Sequence, residues 1–315
     1  MRRILFVGDP HATPEELGDC RALMEMVDNV AESEAVDEVC VLGDLHHTHN
    51  IIRAEVLAFW LEHVRGKRLI VGNHDFAGEG SNIHALLAYQ DRALVVDKPV
   101  LDRGVLYLPY FSDRDAFLEA CKLGGNTLVC HQTFAGSKYE NGFYAEDGVN
   151  PDLVPHKTIL SGHIHTAQTF GRVTYIGAPR WRTLSDANVD RAIWIYDFDE
   201  DGSVLDRKSF DTSKVCRPIR YVVDTPEQPF TGEMDQSCDW RIDVKGPADW
   251  VESRKGLLAA LGARVRVFKT DRAMPRVRES EGIATAFRTF AKKFTPKHGT
   301  PEDVLVTMAH ERLRI

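Results

Sequence analysis

The sequence lacks the features that mark secreted and membrane-spanning proteins. None of its apolar runs approaches the ~20 residues that a helix needs to cross a bilayer. Its first residues, Met1 to Leu5, lead directly into a predicted strand, so we expect no signal peptide. The six cysteines are scattered without a Cys-x-x-Cys pair, which argues against a disulfide framework. We therefore expect a cytoplasmic, intracellular protein in a reducing compartment, with no membrane partner.

Positive charge is scarce over most of the chain. The 39 Lys and Arg residues are outnumbered by 47 Asp and Glu, which gives a net charge of −8. From Arg254 to Ile315, however, there are 14 basic and 6 acidic residues, so this segment carries +8 and the remainder −16. Such a basic segment can meet a polyanion. A solvated helical surface remains the simpler explanation for any single Lys or Arg there.

An apolar run that ends in metal-binding side chains is the most informative feature. Residues Val39 to Leu42 are apolar and lead to Gly43, Asp44 and the pair His46-His47. We predict a buried strand that ends in a tight turn and presents a carboxylate and imidazoles at the sheet edge. Taken singly, such residues are often turn or helix-capping groups, but five occurrences together predict a metal site. The other four are Gly8-Asp9-Pro10-His11, Gly72-Asn73-His74-Asp75, Cys130-His131-Gln132 and Gly162-His163-Ile164-His165.

Strands and helices alternate at first, which predicts a parallel α/β core. Here we expect strands at 3–7, 37–42 and 68–71, and helices after Thr13 and near 50–63. Short runs from Ala93 to Leu108 predict hairpins rather than crossovers. Two packed sheets with helices outside fit the whole pattern better than a Rossmann fold. The later predicted elements are a helix at 113–122 and strands at 127–130, 157–160, 167–170, 173–176, 192–198 and 204–210.

A second, smaller unit is predicted at the C-terminal end. We place a boundary within Thr212–Pro218, which gives a metal-bearing domain at 1–215 and a cap domain at 216–315. The cap pattern is strand–helix–strand, with strands at 219–223, 240–244 and 265–268 around a helix near 248–261. Two short helices, near 280–293 and 301–313, complete the prediction.

The five motifs, in this order over about the first 170 residues, resemble those of the calcineurin-like metallophosphoesterases. The resemblance implies a mixed α/β fold, a four-layer αββα sandwich. It also implies two metal ions that share the Asp44 carboxylate. One ion would be held by Asp9, His11, Asp44 and His165, and the other by Asp44, Asn73, His131 and His163.

Oxygen and imidazole donors suit Mn²⁺, Fe or Zn²⁺, and we expect two divalent ions, Mn²⁺ first among them. Two metals ~3.5–4 Å apart can generate hydroxide and clamp both oxygens of an in-line displacement at phosphorus. By resemblance, His74 stabilises the transition state or protonates the leaving oxygen. Asp75 would then orient the His74 ring and raise its pKa, as a neighbouring carboxylate does.

His47 directs the expected substrate towards DNA. Many phosphatases of the family carry Asp-Arg soon after the bridging aspartate, whereas this chain has His47 three residues past Asp44. Gly-Asp-Leu-x-His is similar to the SbcD-like DNA double-strand-break repair exonucleases, in which that histidine supports exonuclease action. His131-Gln132 and the Ile176–Arg180 segment also resemble those nucleases. The resemblance implies a DNA exo/endonuclease, of a type found in phages as well as in cells.

The same resemblance implies further partners and a cellular role. A C-terminal helical segment would dock on a coiled-coil, SbcC-like ATPase, the cap would help bind DNA, and a homodimer would act in DNA repair and recombination. The alternatives are a metallophosphatase or phosphodiesterase for small nucleotides or phosphoproteins, and a non-catalytic scaffold. The loop Phe134–Tyr144 is expected to be functional because of its length and its position beside His131. His46 has no assigned role.

Overall fold

The computed structural model describes residues 1–49, 51–78 and 81–270. The helices predicted near 280–293 and 301–313 lie outside the described residues, as does Asn50. The described elements, in chain order, are β1 (Arg2–Val7), α1 (Leu17–Ser33), β2 (Glu38–Val41), α2 (Ala54–His63), β3 (Arg68–Ile70), β4 (Leu94–Val96), β5 (Val100–Asp102), β6 (Val105–Tyr107), α3 (Arg114–Cys121), β7 (Thr127–Cys130), β8 (Thr158–Ser161), β9 (Gln168–Phe170), β10 (Val173–Tyr175), β11 (Ala192–Phe198), β12 (Val204–Asp211), β13 (Ile219–Asp224), β14 (Asp239–Gly246), α4 (Ala248–Ala260) and β15 (Arg264–Lys269).

The first sheet has the strand order β12-β11-β1-β2-β3-β4. Strands β1 to β4 run parallel, as the strand–helix alternation predicts, and β11 lies antiparallel to β1 with Arg2 opposite Phe198. The expectation of a hairpin at β4 is wrong, because β4 pairs in parallel with β3. The crossover between them includes short 3₁₀ turns in place of a long helix, and such turns give no periodic signal in the sequence.

The second sheet has the strand order β5-β6-β7-β8-β10-β9. Its four central strands are parallel, and an antiparallel hairpin lies at each edge, β5–β6 on one side and β9–β10 on the other. The hairpin expected within Ala93–Leu108 is confirmed at β5–β6.

The two sheets pack face to face, and helices cover their outer faces. The layer between the sheets is formed by apolar side chains of both, among them Phe6, Leu42, Val129 and Leu160. Helices α1 and α2 cover the first sheet, whereas α3 covers the second through Phe117. Each helix buries one apolar stripe, as amphipathic helices do. The four-layer αββα sandwich is confirmed.

A three-stranded parallel sheet, ordered β13-β14-β15, packs with α4 around a small core of its own. Its core side chains include Ile242, Val244, Val251 and Leu258. The Asn188 side chain accepts from the Tyr221 backbone N–H at 3.1 Å and donates to the Tyr221 carbonyl oxygen at 2.8 Å, linking this unit to the sandwich. In the described part of the chain, no helix combines the length and apolar character needed to traverse a bilayer.

Candidate metal centre

The predicted ligands follow strands of both sheets at the edge where these parallel strands end. Asp44 and Asn73 follow β2 and β3 in the first sheet, while His131 follows β7 in the second. At Asp44 the backbone φ is +51°, and at His163 it is +81°. Non-glycine residues seldom adopt such angles, so the surrounding packing holds these two residues in a conformation that costs free energy.

Asp44 lies between two groups of donor atoms. Its Oδ2 is 3.5 Å from Nε2 of His11 on one side and 3.4 Å from Nε2 of His131 on the other. Its Oδ1 accepts a 2.8 Å hydrogen bond from the backbone N–H of His74. The carboxylate is buried, so it is held in place and is not free to turn towards solvent.

The first donor group contains Asp9, His11, Asp44 and His165. One ligand atom from each of the first three lies within 4.8 Å of the others, and the Nε2 atoms of His11 and His165 are 3.0 Å apart. Among the described residues, Oδ2 of Asp9 and Nδ1 of His11 are buried without a hydrogen-bond partner. A buried carboxylate oxygen without a partner is costly, and a bound cation would satisfy it.

The second donor group contains Asp44, Asn73, His131 and His163. His131 donates its Nδ1 proton to the carbonyl oxygen of Leu42 at 2.7 Å, so Nε2 of the neutral ring carries a lone pair. That Nε2 faces Oδ1 of Asn73 at 2.9 Å, and Nδ1 of His163 lies 2.8 Å from the same oxygen. Acceptor atoms that converge in this way would suit a bound cation.

The donor set fits two divalent metal ions. Carboxylate, amide and imidazole donors are those that Mn²⁺, Fe and Zn²⁺ accept, and the six cysteines are buried, with none in either donor group. Bound there, the ions would supply Lewis acidity and a hydroxide nucleophile. The seven residues expected to bind metal are therefore brought together around one shared carboxylate.

Burial and neighbouring charges shift the pKa values of these groups in both directions. Burial lowers the pKa of His11, and burial together with the charge of His131 lowers the pKa of His163 to about 3. Burial alone would lower the pKa of His131, but the Asp44 carboxylate overrides it and raises that pKa to about 9. Burial opposes the ionisation of Asp44, but His131 outweighs it and holds this pKa well below its usual range. Burial raises the pKa of Asp9.

The expected pairing of Asp75 with His74 is wrong. Asp75 Oδ1 instead lies 3.1 Å from Nδ1 of His46, and its Oδ2 accepts a 3.0 Å bond from the Gly72 N–H. His74 and Asp75 are neighbours in a 3₁₀ turn, where consecutive side chains leave the axis in different directions. Nε2 of His46 lies 2.9 Å from Oη of Tyr89, which gives His46 a buried structural role.

His74 and His47 lie beside the first donor group. The His74 ring centroid is 4.7 Å from that of His11, and Nδ1 of His74 donates to the carbonyl oxygen of His47 at 2.7 Å. Arg182 donates to Nδ1 of His47 at 3.0 Å and to Oε2 of Glu16 at 3.0 Å. Because Nδ1 accepts, the proton of the neutral His47 ring is on Nε2. Burial and the Arg182 charge lower the pKa of His47.

Two buried arginines hold the backbone of the loops that carry the predicted ligands. Arg180 donates to the carbonyl oxygens of Pro10 and His11 at 2.7 and 3.2 Å. Arg191 donates to the carbonyl oxygen of His165 and, at 2.5 Å, to Oδ1 of the buried Asp186. In the sequence, an arginine that binds a distant backbone carbonyl cannot be distinguished from a surface arginine. The sequence therefore does not identify Arg191 or Arg182 as part of the site.

The aromatic loop after His131 reaches the site through Glu140. The His165 backbone N–H donates to Oε1 of Glu140 at 2.6 Å. The loop therefore contacts a predicted metal ligand, as its position in the sequence suggests.

Comparison with known proteins agrees with this geometry. The family model for calcineurin-like phosphoesterases matches residues 2–167, more than half of the chain. The chain belongs to the calcineurin-like phosphoesterases. Members of the family hydrolyse phosphoester bonds, so this phosphoesterase is an enzyme of that class, and the family implies two divalent metal ions.

Among curated proteins, this phosphoesterase is similar to exonuclease subunit 1 of enterobacteria phage T4, with 31% identity over 190 residues. The match covers 56% of this chain and 52% of the phage protein, so it spans about half the length of that relative.

The solved structures that it matches include an archaeal phosphodiesterase, at TM-score 0.36 and 13% identity over 66% of this chain and 99% of that chain. A phosphatase of Mycoplasma pneumoniae matches at TM-score 0.43 and 10% identity, over 67% of this chain and 92% of that chain. A phosphoesterase from E. coli matches at TM-score 0.31 and 15% identity, over 66% of this chain and 98% of that chain.

Proposed function

We propose that this phosphoesterase is a metal-dependent DNA exo/endonuclease. The observation that carries the proposal is the position of Asp44, whose Oδ2 lies 3.5 Å from His11 and 3.4 Å from His131. A carboxylate between two donor groups suits an in-line displacement at phosphorus that needs two metal ions. Mn²⁺ is the ion that we propose for both positions.

His74 is the proposed acid or transition-state stabiliser. Its Nδ1 is held by the His47 carbonyl at 2.7 Å, which leaves Nε2 as the nitrogen available to the substrate. In the imidazolium form, which carries a second proton on Nε2, the ring would stabilise negative charge on the phosphoryl oxygens or pass that proton to the leaving oxygen. Asp75 supports this role only indirectly, because it fixes His46 and the Gly72 backbone beside the His74 turn.

His47 supports the choice of DNA. Its Nδ1 accepts from Arg182 and its ring lies against that of His11 in the first donor group, where it would contact a strand next to the scissile phosphate. The similarity to a phage exonuclease subunit supports the same substrate class. We further propose that the unit from β13 onwards and the basic segment that follows it bind DNA, with a coiled-coil ATPase and a second copy as partners in DNA repair and recombination.

A direct assay tests the function. The protein is loaded with Mn²⁺ and offered single-stranded DNA, duplex DNA ends, an aryl phosphodiester and an aryl phosphomonoester. We expect turnover of DNA and of the diester. Efficient turnover of the monoester with none of DNA would overturn the nuclease proposal and leave the family assignment intact.

A second candidate is a phosphodiesterase acting on small nucleotides. One observation favours it: a cavity of about 620 Å³ adjoins the site, lined in part by Asn73, Lys98, Tyr110 and Phe111. That volume is typical of small-molecule pockets, and the lysine and aromatic side chains suit a phosphate and a base. When cyclic nucleotides and dinucleotides are added to the substrates of that assay, their turnover with no cleavage of DNA would select this candidate.

A further inference from the structure

A short hairpin next to the metal centre carries two exposed aromatic side chains. Residues 138–144 form this hairpin, with the Tyr139 N–H donating to the carbonyl oxygen of Phe143 at 2.8 Å. A second bond, from the Gly142 N–H to the Tyr139 carbonyl oxygen at 2.9 Å, closes the turn. The φ of +88° at Gly142 is one that glycine adopts readily.

Two contacts fix the 138–144 hairpin to the second sheet. Glu140 at its tip accepts the 2.6 Å bond from the backbone of His165, a predicted metal ligand. At its base, Gln168 on β9 accepts from the Lys138 N–H at 2.8 Å and donates to the Lys138 carbonyl at 2.7 Å. The hairpin is therefore fixed relative to the candidate metal centre at both its tip and its base.

Phe143 and Tyr144 are exposed to solvent although the hairpin that carries them is anchored. Phe143 is 72% exposed and Tyr144 is 64% exposed, while Tyr139 packs against the core of the second sheet. Phe143 is three residues from Glu140, so their Cα atoms are at most about 11 Å apart. With about 3.4 Å between stacked nucleotides of one strand, the aromatic pair lies within a few nucleotides of a phosphate at the metal centre.

We propose that Phe143 and Tyr144 form a stacking platform for unpaired bases of the strand being cleaved. Exposed aromatic rings stack on bases of any sequence, since every base offers a π face. Lys138, exposed at the base of the hairpin, adds positive charge for the backbone. Two side chains are too small a patch for a stable protein partner, which needs about 800 Å² on each side, but they match the faces of one or two bases.

This inference rests on the proposed nuclease function, because it names how a nucleic-acid strand is held at that site. The double variant Phe143→Ala/Tyr144→Ala tests it, with Leu153→Ala as the matched control. Leu153 is 62% exposed on the same domain but lies outside the hairpin. Phe143→Trp serves as the conservative variant that should preserve stacking.

Two measurements distinguish a failure of the stacking platform from a failure of the proposed nuclease function. The first is steady-state kinetics on single-stranded DNA and on the aryl phosphodiester. We expect the double variant to raise KM for the strand about tenfold with kcat little changed, and to leave diester turnover within twofold of the parent. Leu153→Ala and Phe143→Trp should match the parent on both substrates.

The second measurement is the fluorescence of 2-aminopurine in a short oligothymidylate, made in a His74→Ala background so that the strand stays intact. Stacking quenches this base, so the double variant should lose most of the quenching that the control retains. If the double variant matches Leu153→Ala in both measurements, the stacking platform is wrong. If the parent cleaves no DNA yet quenches through these aromatics, the nuclease proposal fails and the platform stands.

Discussion

Asp44 lies between the two donor groups, since one of its oxygen atoms approaches both His11 and His131. We predict that Asp44→Asn abolishes hydrolysis and removes paired metal binding together, because the amide keeps the shape but loses the charge that two cations share. Metal content per chain by mass spectrometry and turnover of the aryl phosphodiester measure this. Asp152→Asn, at a side chain 92% exposed, is the control. Normal turnover in Asp44→Asn would show that the Asp44 carboxylate is not shared by two metal ions.

His47 is expected to affect substrate handling and not metal binding. Its Nδ1 accepts from Arg182, although a ligand atom of His47 also lies within 4.8 Å of ligand atoms of His11 and His74, a cluster that could itself hold a metal ion. We predict that His47→Ala slows cleavage of DNA by about 10²-fold while both metal ions stay bound. Loss of metal in this variant would identify His47 as a ligand instead.

The buried contact between His46 and Tyr89 predicts a difference in stability between two tyrosine variants. Tyr89→Phe removes the group 2.9 Å from Nε2 of His46 and leaves that nitrogen unpaired. We expect a decrease of about 1–3 kcal/mol in the free energy of unfolding, measured by urea denaturation. Tyr107→Phe is the control, because its buried hydroxyl has no hydrogen-bond partner among the described residues. Equal decreases in the two variants would contradict a structural role for the interaction of His46 with Tyr89.

At the scale of elements, the turn after β2 requires glycine. Gly43 has φ +104°, and a Cβ there would lie 2.4 Å from Nδ1 of His131. Gly124 has a similar φ of +93° but no atom within 4 Å of such a Cβ. We predict that Gly124→Ala costs about 1–2 kcal/mol of stability through backbone strain alone, whereas Gly43→Ala costs more and also displaces His131. Calorimetry and metal titration of both variants would reveal the difference, and equal effects would contradict it.

The ends of the strands are predictable from sequence, whereas the contacts made there are not. A buried apolar run followed by glycine and a polar side chain identifies where each strand stops, so the seven expected ligands are found together. Adjacency in sequence does not set side-chain direction, which is why the sequence suggests His74 as the partner of Asp75 although that carboxylate binds His46.

Helix α2 begins at Ala54, later than predicted, because the preceding Arg53 is extended and offers no side-chain cap.

At the scale of the whole molecule, charge is divided between an acidic body and a basic C-terminal segment. If that segment binds DNA, KM for DNA should rise steeply with salt, while turnover of the aryl phosphodiester should change little. Replacing Arg272, Arg276 and Arg278 with Gln should reduce the slope of log KM for DNA against log salt concentration. The expected decrease is about 0.7–0.9 for each phosphate that is no longer neutralised. Lys122→Gln, at a lysine 69% exposed in the sandwich domain, is the control. An unchanged slope in the triple variant would show that these three arginines do not neutralise DNA phosphates.

Strand β1, which leads to Asp9, lies between β2 and β11, and Arg2 of β1 pairs with Phe198 of β11. Arg191, just before β11, also holds the carbonyl of the predicted ligand His165. A nascent chain therefore exposes the first of its predicted metal ligands long before β11 and Arg191 have left the ribosome. Because domains fold as units, we expect hydrolytic competence only after β11 has been synthesised. This order of synthesis would delay phosphoester hydrolysis until the sandwich around the candidate metal centre is largely assembled.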